Sequence, residues 1–159
     1  MRLAALAPVV LLASACFAQQ QKYAGPMPEK ADLPYLKHAS KLIATEALDA
    51  KTEQRKDEEW AITPGASSPV RTPLAEPYFF VLAEKLDPTK LELYKVDSKI
   101  GNRELLMSRK NKAQAKPLRI FATPLGQRLY RVDVSDTLEL GEYCLSPSGS
   151  NQVFCFQVF

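Results

Sequence analysis

From Tyr78 to the end of the chain, apolar residues come in short runs, many with a period of two, and turn residues break the runs. "YFFVLAE", residues 78–84, is apolar on both faces, as a strand in the middle of a sheet would be. "LDPTK" supplies a turn, "LELYKV" a strand, "SKIGN" another turn and "RELLMSRK" the next strand. In "PLRIFAT" Leu118, Ile120 and Ala122 share one face. After the turn "PLGQ", Tyr130, Val132 and Val134 share one face of "RLYRVDV". Short strands parted by turns about every 8 to 15 residues predict an all-β chain, a sandwich or a barrel. No helices alternate with these strands, so a parallel sheet is not expected.

The stretch "LPYLKHASKLIATEALDAKTEQRKDEEW", residues 33–60, carries two patterns at once. Leu36, Ala39, Ile43, Ala47 and Ala50 recur at roughly helical intervals, which allows a short helix near residues 33–56. The same residues read as a strand over "KLIATEAL", followed by "DAKTEQRKDEE" as an exposed connection into a strand "EWAIT". Strands are preferred, because everything downstream is strand-like. "PGASSPVRTPLAEP" carries Pro64, Pro69, Pro73 and Pro77, which forbids a helix and suits an extended edge or loop. Ahead of these segments, residues 19–32 are polar and contain Pro26 and Pro28, the composition of a flexible lead or tether. One domain, residues 33–159, is expected to follow.

The ending "LELGEYCLSPSGSNQVFCFQVF", residues 138–159, folds most simply as a hairpin about "SPSGSN". With Gly149 and Ser150 as the central pair of a two-residue turn, Cys144 falls opposite Cys155, Leu145 opposite Phe154 and Tyr143 opposite Phe156. A two-residue turn makes the cysteines a hydrogen-bonded pair with Cα atoms about 5.5 Å apart. A four-residue turn keeps the partners and changes the pair type. Either way the rings share a core-facing side, and the cysteines lie on the outward one, within reach of a disulfide. The pair lacks a C-x-x-C spacing, so a redox role is disfavoured.

The opening "MRLAALAPVVLLASACFAQQQ" has a positive charge at Arg2, an apolar stretch from Leu3 to Ala15 and small residues before glutamines, the layout of a secretory signal peptide. The stretch is too short to span a bilayer, and no later segment comes closer. Cleavage after Ala18 would release a free protein, whereas "LLASAC" resembles a bacterial lipobox, which implies a lipid anchor on Cys16. Export also favours a disulfide between Cys144 and Cys155, the two cysteines left in the domain. With His38 as the sole histidine, no metal site or cofactor is expected. The net charge of +3 points to no strongly charged partner.

No nucleophile elbow, P-loop or H-E-x-x-H stretch is present, and His38 has no evident partner. Asp57, Glu58 and Glu59 sit in a mixed-charge run that reads as a solvated connection. Carboxylates gathered by folding are not visible in a sequence, so a small carboxylate-dependent hydrolase stays open. The densest charge feature is "SRKNKAQAKPLR", where Arg109, Lys110, Lys112, Lys116 and Arg119 occur without an acid. As a loop between strands it would present a basic tip to envelope phosphates or lipid headgroups. It lacks interleaved aromatic residues, so nucleic acid is not the expected ligand.

"LELGEY", Leu138 to Tyr143, resembles the tyrosine corner of immunoglobulin-like and fibronectin type III-like domains. The resemblance implies an immunoglobulin-like antiparallel β-sandwich of about seven to nine strands, with the Tyr143 hydroxyl bonded to nearby backbone. Cys144 follows the tyrosine by one residue rather than two, so an antibody-type core disulfide is not implied. Taken with "LPYLKHASKLIATE" and "PGASSP", the ending also resembles a family of uncharacterised exported bacterial proteins, which implies no activity. The expectation is an exported, noncatalytic binding or structural module whose partner is an unknown protein or envelope polymer. The rivals are a lipid-anchored envelope protein contacting anionic surfaces through its basic loop, and the hydrolase.

Overall fold

The computed structural model describes residues 23–109 and 115–159. The signal segment with Cys16, and also Lys110 and Lys112, lie outside the described residues. The first strands are β1 (Tyr35–His38), β2 (Lys41–Ala44), β3 (Glu46–Asp49), β4 (Lys51–Arg55), β5 (Glu58–Pro64), β6 (Arg71–Thr72) and β7 (Tyr78–Leu82). After a 3-10 turn at Pro88–Lys90 come β8 (Leu91–Lys99), β9 (Asn102–Arg109), β10 (Ile120–Gly126), β11 (Leu129–Val134), β12 (Gly141–Pro147) and β13 (Gln152–Val158).

The strands form two sheets arranged like a sandwich. The first runs β10-β11-β7-β1-β2, all antiparallel. The second runs β3-β13-β12-β8-β9-β5-β4, also antiparallel, with β6 added parallel to the end of β13. Between the sheets Leu36, Phe79, Val81 and Val132 meet Leu93, Tyr143, Leu145, Phe154 and Phe156, all buried. The Phe79 and Phe156 rings are 5.1 Å apart, centre to centre. Each such side chain contributes about 1.5–3 kcal/mol on burial, so this core carries the fold.

No helix forms over residues 33–56. The chain there makes four strands, because Ala39 at φ +50° turns β1 back onto β2. Leu36 and Ile43, which look like one helical face, are instead partners across that hairpin. Among the described residues the strand number is also larger than expected, thirteen against seven to nine, since bent strands count as separate pieces. β3 and β4 show this best. They are the two ends of the second sheet, yet only Ala50 separates them in sequence. One bent strand therefore pairs with β13 through its first half and with β5 through its second, and the sheet curls back on itself as a small barrel.

The curl changes the place of the cysteines. The Cys144–Cys155 disulfide is present and points away from the sandwich core, yet it is buried rather than outward-facing, at 3% and 0% exposure. Val96 and Val153 pack with it inside the barrel. The hairpin has the expected partners with the longer turn, residues 148–151. The Ser150 N–H donates to the Pro147 carbonyl at 3.1 Å, with Gly149 at φ +77° in the third turn position. The cysteine Cα atoms are 4.0 Å apart, the close spacing of a non-hydrogen-bonded pair.

Residues 23–32, expected as a flexible lead, make defined contacts with the first sheet. The Tyr23 ring lies 5.1 Å from Phe80, and the Lys30 N–H donates to the Tyr35 hydroxyl at 3.1 Å. No helix among the described residues is long and apolar enough to cross a membrane.

Candidate functional site

Period-two alternation gives each barrel strand an inward set. These are Leu48 and Ala50 leading to Thr52 on the bent strand, Glu59, Ala61 and Thr63 on β5, and Glu92, Tyr94 and Val96 on β8. β9 contributes Arg103, Leu105 and Met107, β12 contributes Glu142, Cys144 and Ser146, and β13 contributes Val153 and Cys155. Side-chain contacts gather Arg103, Glu46 and Glu142 at one end, with Thr63 opposite Arg103. The disulfide packs next to them with Val96, Val153 and Leu105, and the registers set Glu92 opposite Ser146 and Glu59 opposite Ser108 at the other end.

The first end is closed by a buried cation. Arg103 has a side chain with 0% exposure, and its guanidinium donates to Glu46 at 2.8 Å and to the carbonyls of Gly65 and Pro64, both at 2.9 Å. Glu142 stands 3.5 Å from the same guanidinium and accepts from the Ser67 hydroxyl and the Ser68 N–H, each at 2.9 Å. The "PGASSP" loop is thus tied to β3, β9 and β12 through one arginine. A buried charge is tolerated only when paired and hydrogen-bonded in this way.

The second end is open enough to leave a cavity of about 340 Å³. Its cause lies in the ladder between β8 and β9, which pairs only Asp97–Lys99 with Asn102–Glu104. Further along, the returning chain spans the space, with the Ala115 N–H donating to Met107 O at 3.0 Å and the Leu118 N–H to Leu93 O at 2.8 Å. A bulge between β5 and β9 adds to this. Glu59 pairs with Ser108 and Trp60 with Leu106, so Met107 is the extra residue, and Met107 and Ser108 both line the cavity.

Ala61, Val96, Leu105, Met107 and Val153 give the cavity an apolar wall, Cys144 lines it as well, and its disulfide partner Cys155 packs in the same cluster as Val96 and Val153. Polar side chains share the lining, among them Thr52, Thr63, Glu59, Glu92, Tyr94 and Ser108. Tyr94 donates its hydroxyl to Glu92 at 3.0 Å, and Ser108 donates to Glu59 at 3.2 Å. Burial, and then the neighbouring Glu92 carboxylate, push the Tyr94 phenol up to about 12, so it remains a neutral donor. A concave chamber that joins apolar wall residues to several polar groups suits a small ligand, and the volume of about 340 Å³ lies in the usual range of about 300–1,000 Å³.

The residues singled out in the sequence fall elsewhere. Arg109 pairs with Glu58 at 2.9 Å and Arg119 with Asp136 at 2.7 Å, while Lys116 is exposed. Two of the three described cations of the basic stretch are therefore neutralised by acids from other segments. His38 is exposed at the end of β1. The Tyr143 hydroxyl donates to the Glu139 carbonyl at 2.8 Å, and Leu138 is buried in the sandwich core. The presumed connection around Asp57 is a two-residue turn between β4 and β5, and it leaves Glu59 lining the cavity. Sequence reasoning missed this site. The signal available was an alternating face on β5, β9 and β12 that mixes charge with small apolar residues, which reads as solvent-facing until the sheet is seen to curl.

Compared with protein-family models, with curated proteins and with solved structures, the chain matches none.

Proposed function

We propose that this is an exported, noncatalytic binding module that takes a small, largely apolar molecule into its barrel cavity. The single observation that carries the reading is the chamber of about 340 Å³, where Ala61, Val96, Leu105, Met107 and Val153 form an apolar wall beside the polar groups of Glu59, Glu92 and Tyr94. The buried disulfide supports an oxidising compartment. The test is calorimetric titration with 1-octanol, whose size suits the space, against the wild-type chain and Ala61→Phe, which fills the chamber. Saturable binding lost in the filled variant supports the reading. Absence of binding, or binding indifferent to Ala61→Phe in a variant that keeps the wild-type circular dichroism, refutes it.

A second reading, the small carboxylate-dependent hydrolase, is favoured by one feature, the presence of Glu59 and Glu92 in the same cavity. Glycoside hydrolysis uses two such carboxyls, one as acid and one as base or nucleophile. Turnover of aryl glycosides, abolished by either Glu59→Gln or Glu92→Gln, would establish it over the binding module.

A further inference from the structure

We infer that the ligand of this cavity is a small single-chain cation: an ammonium head held by Glu59 and Glu92, with an apolar tail inserted toward the disulfide. The inference rests on the binding-module reading and adds the chemistry of the head group. Although the whole chain carries a net charge of +3, the only formal charges among the described lining residues are these two carboxylates. Arg103 offers no counterweight. It lies at the closed end, where Glu46 and Glu142 already neutralise it.

Each mouth carboxylate has one side-chain donor, Ser108 on Glu59 and Tyr94 on Glu92. An ionised carboxylate has about four acceptor sites, so both keep capacity for further donors. An ammonium brings three donors and the complementary charge, and meets carboxylates in charge-assisted hydrogen bonds. A carboxylate or phosphate head would instead face like charge in a partly desolvated mouth. Size narrows the class further. At about 30 Å³ per water in the liquid, the chamber holds on the order of ten water volumes, which fits one short chain and not a two-chain lipid.

The experiment titrates the full chain with octylammonium, 1-octanol and octanoate, which share a tail and differ in head charge. Octylammonium is expected to bind roughly tenfold more tightly than octanol, with octanoate weakest. The cation's margin should shrink in 0.5 M salt, since the mouth is partly solvated. In the Glu59→Gln, Glu92→Gln double variant the margin of octylammonium over octanol should vanish; a margin that persists overturns the cationic head. Equal affinities for the three probes, or a preference for octanoate, overturn the cationic head and leave the apolar cavity standing. Failure of all three to bind overturns both.

Discussion

The guanidinium of Arg103 lies 2.8 Å from the carboxylate of Glu46, and this pair seals one end of the barrel. With Glu142 and the Gly65 and Pro64 carbonyls it gathers three strands and a loop around one fully buried charge. Gly65, at φ +83°, adopts the left-handed conformation that lets the loop turn over the guanidinium.

Arg103→Met should therefore destabilise the fold strongly. Removing one partner of a buried pair costs about 3–5 kcal/mol, and the lower end applies here because Glu46 is 20% exposed. Adding Glu142→Gln should restore part of the loss, since the orphaned carboxylate at 4% exposure becomes neutral. Urea unfolding at constant m-value measures both. A loss below about 1 kcal/mol for Arg103→Met would mean that water reaches this end of the barrel.

The disulfide joins residues 11 apart in sequence and is buried between β12, β13 and the cavity. Replacing both cysteines by alanine should cost about 3 kcal/mol through the freed loop, and the lost sulfur volume adds to it. Because Cys144 lines the cavity, the double variant should also bind 1-octanol differently from wild type. Urea midpoints and the same titration test the two statements separately. Unchanged stability would refute the first, and identical octanol affinity the second.

What the sequence revealed was whatever depends on neighbours along the chain. The register of the last hairpin follows from its turn and the two-residue period, so Tyr143, Leu145, Phe154 and Phe156 were legible as one face. Central strand β7 was legible because Phe79, Phe80 and Val81 leave no polar face. The other side of the hairpin was not legible. Whether Cys144 faces water or a second core depends on the sheet closing through Ala50, a contact set by the bend between β3 and β4. Glu59 was hidden for the same reason: a charged residue beside a turn reads as solvated until a barrel forms around it.

The β10–β11 hairpin offers a stabilising change. Its two loop residues, Gln127 and Arg128, have φ of +51° and +63°, the left-handed pair of a type I′ turn that favours Asn-Gly. Gln127→Asn with Arg128→Gly should add about 1 kcal/mol by relieving that conformation. The exposed contact of Arg128 with Glu84, 3.6 Å long, contributes little to lose. A rise in melting temperature of about 2–4 °C is expected for a chain of this size. No change, or a fall, would show that the turn residues carry contacts worth more than their strain.

Asp32 makes stability depend on acid in a defined direction. Its residue has φ +59°, and its Oδ1 accepts the N–H groups of Glu84, Lys85 and Leu86 at 2.7, 2.9 and 2.9 Å. Burial works to raise its carboxyl, but the three backbone donors, led by Leu86, outweigh it and hold the group below the ordinary aspartate value. A carboxyl depressed in the folded state binds fewer protons there than in the unfolded chain. Its contribution is thus complete above about pH 4 and is lost as the pH falls through the folded value. Asp32→Asn keeps a residue that tolerates the left-handed conformation and removes only the charge. The stability gap between wild type and Asp32→Asn should stay level from pH 8 to pH 5 and narrow by pH 3, because the other carboxyls titrate in both proteins and cancel. A gap that holds constant to pH 3, or widens, would show that the backbone donors do not depend on the ionised form.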